Sequence, residues 1–224
     1  MKMRENIPTS IGAVSDGRLH LDYDWYARGI PPNVSLGRDV YIDTSYGFAP
    51  FFSEQRPGLT LGDATGAYDR ATFVVGTKGR VTVGAYTVLN GTYIICHERV
   101  TVGSHCLIAW GSVITDTWLA PDSSIEERRA LLVRAAGDST RRLAAVARPR
   151  PVTLEDNVWV GFDSIVLPGM TLGRGSVVGC KTVITKDVPP YAVVVGDPAR
   201  IIRYLDPDDT AAARAEALRE YARR

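Results

Sequence analysis

The pentapeptide Arg-Val-Thr-Val-Gly occurs twice, at Arg80–Gly84 and Arg99–Gly103, with its two starts 19 residues apart. A repeat of fixed period constrains a fold more than any local propensity, because overlooking it misassigns the whole architecture. Looser copies keep Thr or Ser two residues before Gly in an aliphatic setting, at Val34–Gly37, Leu59–Gly62 and Met170–Gly173, and Val152–Glu155 carries Glu in the Gly place. Aligned on the aliphatic residue before the Gly, the copies fall at Leu36, Leu61, Val83, Val102, Leu154 and Leu172, with spacings of 25, 22, 19, 52 and 18. The last two copies contain a finer beat, with Leu154, Val160, Val166, Leu172, Val178 and Ile184 six residues apart. An amphipathic helix needs apolar residues every 3.6 positions, and a lone strand needs simple alternation without a longer period. A coil of three flat sides, each turning a corner and pointing one aliphatic residue inward, gives six within eighteen. Corners are expected at Gly161, Gly169, Gly173, Gly175 and Gly179, with Asp156, Asn157 and Asp163 among them, since Gly and Asn tolerate positive φ. Such coils bury their inward residues against one another, so stability accumulates by stacking.

Composition narrows the partners. The 224 residues carry 26 basic and 25 acidic side chains, a formal charge of +1, so no global field draws the chain to nucleic acid or to a membrane. The basic run Arg141, Arg142, Arg148 and Arg150 reads as solvated surface. The start, MKMRENIPTS, has no apolar export core, and no stretch of about 18 apolar residues occurs; a cytoplasmic location is the expectation. Cys96, Cys106 and Cys180 have neither metal-ligand nor redox spacing and read as small core or corner residues.

The 52-residue spacing holds about one coil, Val102 to Leu119, and an excursion from Ala120 to Thr153. Long loops inside compact domains usually serve function. This one carries a helix signal: Pro121, Asp122, Ser123 and Ser124 precede IEERRALLVRAA, with Glu126 and Glu127 each three residues after a Ser, as in a capping box. The domain expectation is a cap over residues 1–35, coils over 36–190 interrupted by the excursion 120–153, and a tail with a capping helix over 191–224. That tail ends in an Ala-rich segment with acidic residues first and Arg last, the order a helix dipole favours.

The run VTLEDNVWVGFDSIVLPGMTLGRGSVVGCKTVITKDVPPYAVVVGDPARIIR, Val152 to Arg203, closely resembles the final coils and tail of the hexapeptide-repeat acyltransferases related to maltose, galactoside and xenobiotic acetyltransferases. The resemblance implies an all-β fold, a left-handed parallel β-helix with a C-terminal α-helix, assembled as a homotrimer with acyl-CoA sites between subunits. Carried over position by position, it implies that the backbone at Cys180 meets the pantetheine of acetyl-CoA or another acyl-CoA, that Thr185 and Lys186 keep the family's Thr-Lys, and that Arg200 and Arg203 approach the nucleotide end. Phosphate favours such basic groups. It implies no metal.

Two departures matter. The family has Ser, Ala or Gly where Phe162 follows Trp159-Val160-Gly161, so a phenyl ring narrows the pantetheine channel. The family's catalytic His precedes a Pro at the start of the long loop; here the run is Asp116-Thr117-Trp118-Leu119-Ala120-Pro121, with Ala120 in the His place. A positioned general base contributes roughly 10² to 10⁴ in rate, which alanine does not supply. His20 reads as a surface strand residue and His105 as an exposed corner. His97 lies in the bulge of the 19-residue coil, at a family position lining the acceptor cleft, and bulges re-aim side chains beside active sites. A neutral imidazole there, oriented by Glu98 or Asp116, has the pKa range of a base; a plain turn histidine is the alternative. Asn90 matches a family Asn that holds the acceptor, or is a corner residue. The functional expectation is an acyl-CoA-dependent O- or N-acyltransferase acting on a small polar acceptor. The alternative is a divergent scaffold that binds a partner or runs another reaction in the same cleft. The metal-dependent branch of the fold requires three converging His, and the His97 and His105 spacing does not match it.

Overall fold

A computed structural model describes residues 12–118, 124–137 and 148–206. The chain winds as a left-handed parallel β-helix of triangular section. The first face stacks Val34–Leu36, Leu59–Leu61, Arg80–Val83, Arg99–Val102, Val152–Leu154 and Thr171–Leu172. The second stacks Tyr41–Ile42, Gly66–Tyr68, Val88–Asn90, Leu107–Ile108, Trp159–Val160, Val177–Val178 and Ala192–Val195, and Arg200–Tyr204 closes it antiparallel. The third stacks Thr72–Val75, Tyr93–Cys96, Val113–Thr115, Ile165–Val166 and Val183–Ile184. The twin pentapeptides lie directly on one another, Arg99 to Val102 in register with Arg80 to Val83.

The six-residue beat is the core. Leu154, Val160, Val166, Leu172, Val178 and Ile184 are all fully buried. Between them, small hydroxyl residues face inward and bond to the adjacent coil: Thr65 Oγ1 donates to Gly84 O at 2.8 Å, Thr87 Oγ1 to Gly103 O at 2.8 Å and Ser164 Oγ to Gly179 O at 2.9 Å. Buried polar groups thereby find partners inside the prism.

The corners follow a sharper rule than the expected glycines. Positive φ recurs every six residues at Asn157, Asp163, Gly169, Gly175 and Lys181, with φ of 59°, 55°, 84°, 66° and 54°. Gly161, Gly173 and Gly179 are not in that conformation. Their requirement is close approach: an added Cβ would come within 2.7 Å of Cys180 N at Gly161, 2.4 Å of Pro190 N at Gly173, and 2.7 Å of Val195 Cγ1 at Gly179.

The excursion also differs at its end. Val152 and Thr153 already pair with Val100 and Thr101, so the return to the coil precedes Thr153. Within the excursion a helix, α1, spans Ile125–Gly137 with no buried residue. The capping box forms at Ser124: its N–H donates to Glu127 Oε2 at 2.7 Å, and the Glu127 N–H donates to Ser124 Oγ at 3.1 Å. The expected C-terminal helix beyond residue 206 lies outside the described residues.

Over the opening coils lies an arm whose Leu21 and Ile30 are buried. Tyr23 stacks on Tyr41 of the second face at 6.1 Å and donates its hydroxyl to Ile42 O at 2.7 Å. Asp24 accepts from Thr44 Oγ1 at 2.7 Å and from the Tyr26 N–H at 3.1 Å. Burial works against that carboxylate, but its hydrogen bonds, those from Thr44 and Tyr26 among them, prevail and hold its pKa below the ordinary value.

Candidate functional site

The candidate residues fall on two edges of the prism. Where the third face turns into the first, Cys96 is followed by His97, Glu98 and Arg99. The inward residues Ile94 and Val102 are eight apart across this corner, against six for the register-equivalent Val166 and Leu172. The corner between Leu89 and Ile94 is one residue shorter than that between Val160 and Val166. The 19-residue coil is thus two residues longer at His97 and one shorter after Asn90.

Asp116 holds the long corner. Its carboxylate is completely buried and accepts three backbone N–H groups, from His97 at 2.8 Å, Glu98 at 2.8 Å and Arg99 at 2.9 Å. Both oxygens are therefore engaged by the turn, and the carboxylate fixes the backbone under His97. The imidazole packs over Gly76, where an added Cβ would meet His97 Cδ2 at 2.8 Å, and its Nδ1 is buried with no hydrogen-bond partner among the described residues. A buried polar atom without a partner is uncommon enough to require a reason. Beneath it, burial foremost and the Asp116 charge next push the Cys96 thiol far up, so it stays protonated. Thr185 and Lys186 lie on this same edge, exposed, after Val183–Ile184.

The other edge joins the second face to the third. Asn90 ends its strand there, half-buried. Register places Gly91, Trp110, Phe162 and Cys180 one above another on successive coils. Phe162 and Trp110 stack with centroids 5.6 Å apart and planes 9° from parallel. Cys180 is exposed, and Val195, one coil further, pairs with Arg200. Arg203 lies toward the opposite end of that strand, paired with Val193. Phe162, Cys180 and Arg200 thus form one continuous track, whereas Thr185, Lys186 and His97 stand across the third face from it. The four residues Tyr93–Cys96 separate the edges, about 13 Å of strand.

Ala120 lies outside the described residues, as do Arg141 and Arg142. His20 sits on the arm with Nε2 3.9 Å from Asp16 Oδ2. His105 is an exposed corner with φ of 60°, stacked on Tyr86 at 5.1 Å. Sequence reasoning missed Trp110 and Asp69. Trp110 donates its indole N–H to Asp69 Oδ2, and with Tyr46, Arg70, Gly91 and Tyr93 the two line a cavity of about 490 Å³. The signal for Trp110 lies in the beat itself: Ile108 stands over Leu89 and under Val160, which sets Trp110 beneath Phe162. Among the described residues, no cluster of three His, Cys, Asp or Glu is placed to hold a metal ion, and no helix is long and apolar enough to cross a membrane.

Residues 151–186 match the family described as the hexapeptide repeat of succinyl-transferase. That stretch of the chain carries a hexapeptide repeat. A Schizosaccharomyces pombe protein carrying an acetyltransferase name is 52% identical over 56 residues, 25% of this chain and 27% of that protein. A chloramphenicol acetyltransferase of Agrobacterium fabrum is 31% identical over 130 residues, 51% of this chain and 56% of that one. The chain thus spans about a quarter to a half of the length of these curated relatives. Among solved structures, a hexapeptide-repeat acetyltransferase from Vibrio cholerae, complexed with acetyl coenzyme A, superposes with a TM-score of 0.51 at 28% identity, covering 66% of this chain and 72% of its own. An N-acyltransferase from Bacillus cereus, at 16% identity and a TM-score of 0.56, covers 84% of this chain and 91% of its own; at that identity the likeness concerns the fold.

Proposed function

We propose that this protein is an acyl-CoA-dependent O- or N-acyltransferase of small polar acceptors, working between the subunits of a homotrimer. The observation that carries the reading is the division of the candidates between two edges. Cys180, Phe162 and Arg200 form a track on one edge, while His97, Thr185 and Lys186 lie across the third face. One protomer's track set against its neighbour's opposite edge would join the two sets in a cleft open to solvent. The acetyl-CoA complex of the Vibrio relative and the acetyltransferase names of the curated relatives support the same chemistry.

In this reading the acceptor hydroxyl or amine, held by Asn90, attacks the thioester carbonyl. The new C–O or C–N bond forms as the C–S bond breaks, His97 takes the acceptor's proton, and the CoA thiolate leaves and is protonated. The turn beneath His97, fixed by three N–H donors to Asp116, holds the imidazole in place while it changes protonation. Asp116 acts through that turn as a positioning residue. Lys186, Arg200 and Arg203 supply charge for the nucleotide phosphates.

Acetyl-CoA turnover over a panel of amino sugars and hydroxylated acceptors, read by CoA release, tests the proposal. His97→Ala and His97→Gln should lower kcat by roughly 10² to 10⁴ while the CoA-induced rise in melting temperature persists. Equal turnover by wild type and both variants removes His97 as the base. Absence of both CoA-induced stabilisation and turnover contradicts the whole proposal and leaves the divergent scaffold.

A further inference from the structure

We infer that the acceptor carries an oxyanion, a carboxylate or a phosphate, and that Arg80 and Arg99 of the twin pentapeptides hold it beside His97. The inference rests on the acyl-CoA reading above and adds the class of acceptor. It begins from the doubled sequence, which the scaffold alone does not account for. The inward residues of the two copies, Val81, Val83, Val100 and Val102, are buried and serve the core. Alternation sends Arg80, Thr82, Arg99 and Thr101 outward. Because Arg99 pairs with Arg80 and Thr101 with Thr82, these four form a square, about 5 Å across the strands and about 7 Å along them. All four bring hydrogen-bond donors, and none brings a negative charge.

Like charges opposite one another on neighbouring strands destabilise a sheet, and the chain does not neutralise this pair. Among the described residues neither guanidinium lies in an ion pair, and Arg80 Nη2 donates only to the neutral Gln55 Oε1, at 3.3 Å. The Asp116 carboxylate is already engaged by three N–H groups. Glu98, exposed between His97 and Arg99, is the acid of this corner, while exposed Lys78 and Arg150 add to the positive sign. Register puts Gly58 below Arg80 and Pro151 above Arg99, so no long side chain flanks the pair in its own rank. Two guanidinium groups at strand spacing suit the oxygens of a carboxylate or phosphate, which arginine binds through paired N–H donors.

Position assigns the anion to the acceptor. Arg99 comes two residues after His97, about 7 Å of extended chain, a separation that one small molecule spans between its charged group and its reacting hydroxyl or amine. The coenzyme's phosphates have basic groups at another level. Arg200 pairs with Val195, and Ala192–Val195 stands four strands above Val88–Asn90 on the second face, about 19 Å along the axis. Lys186 follows Val183–Ile184, three strands above Tyr93–Cys96 on the third face, about 14 Å. A CoA held by those groups leaves Arg80 and Arg99, on the coils that meet at His97, to the molecule it acylates.

Phenylglyoxal labelling of the full chain, followed by peptide mapping, tests this with inorganic phosphate as the probe, with CoA, and with neither. One exposed charge pair contributes up to about fivefold in affinity, so phosphate at saturation should slow modification of both Arg80 and Arg99 about fivefold or more, while Arg129 on α1 reacts at an unchanged rate. CoA should protect neither. In turnover with acetyl-CoA, glucosamine 6-phosphate should exceed glucosamine, and galacturonate should exceed galactose, by about tenfold in kcat/KM. Arg80→Gln combined with Arg99→Gln should remove that advantage through KM and leave CoA affinity unchanged. Absence of phosphate protection, with CoA still raising the melting temperature, overturns this inference and leaves the acyltransferase reading standing. Ratios near one, or no turnover of either anionic acceptor, overturn it as well. Protection by CoA as strong as by phosphate assigns the two arginines to the coenzyme and overturns it too. Phosphate protection with neither CoA binding nor turnover removes the acyltransferase reading, and the acceptor with it.

Discussion

Replacing Asp116 by alanine removes one carboxylate and orphans three backbone donors at once. The His97, Glu98 and Arg99 N–H groups lie 2.8, 2.8 and 2.9 Å from its oxygens, and the side chain is inaccessible to solvent. Hydrogen bonds to a charged acceptor contribute about 1.5–3 kcal/mol each, but Glu98 and Arg99 are exposed residues whose N–H groups water could reach once the turn relaxes. The loss is therefore expected at about 3–5 kcal/mol, a large part of the 5–15 kcal/mol typical of a domain. Asp116→Asn is the discriminating partner. An amide oxygen in place of Oδ2 keeps the Glu98 and Arg99 donors and faces the His97 N–H with an amide group, which should cost about 1–2 kcal/mol. Urea unfolding followed by circular dichroism gives both values, with an unchanged slope confirming that only stability moved. In the asparagine variant, kcat should fall more than the CoA dissociation constant changes, because the turn under His97 shifts and the track on the other edge does not. An alanine variant within 1 kcal/mol of wild type would refute the role of the carboxylate as the anchor of this corner.

Gly173→Ala places a Cβ 2.4 Å from Pro190 N and should lower stability by about 1–3 kcal/mol through overpacking, measurable as a fall in melting temperature. Iodoacetamide should modify Cys180 in the native protein and spare Cys96 and Cys106, whose thiols are buried and pushed upward in pKa chiefly by that burial; peptide mapping after labelling reads the result. The Asp24 carboxylate, held below its ordinary pKa, contributes stability that is present above the ordinary carboxylate range and is lost as pH falls through its folded value. The arm should therefore loosen in acid, visible as a fluorescence difference between wild type and Trp25→Phe, and Asp24→Asn should remove that pH dependence.

The scaffold was legible because its core is one-dimensional: a six-residue beat of aliphatic residues places Leu154 and Val160 on different faces without knowledge of any other contact. The capping box at Ser124 was legible for the same reason, since both partners lie within one turn. Corners were read only half correctly, because Gly173 and Gly175 look alike in sequence, yet one answers to a neighbouring coil and the other to its own φ. The candidate site was less legible still. Phe162 stood out as a departure, but its partner Trp110 lies 52 positions earlier, across the excursion. Asp116 invited a role toward an imidazole because carboxylates often orient histidines; its oxygens instead meet N–H groups that the letters His, Glu and Arg do not reveal. The aromatics of the arm, Tyr23 and Trp25, find their partners only once the first coils exist to stack against.

The track running from Arg200 past Cys180 to Phe162 is best tested by the rate at which iodoacetamide modifies Cys180 with and without CoA. Saturating CoA should slow that modification at least tenfold, while an exposed thiol introduced on α1, such as Arg129→Cys, reacts at an unchanged rate. An undiminished rate at Cys180, at CoA concentrations that raise the melting temperature, would put the ligand elsewhere and contradict the account.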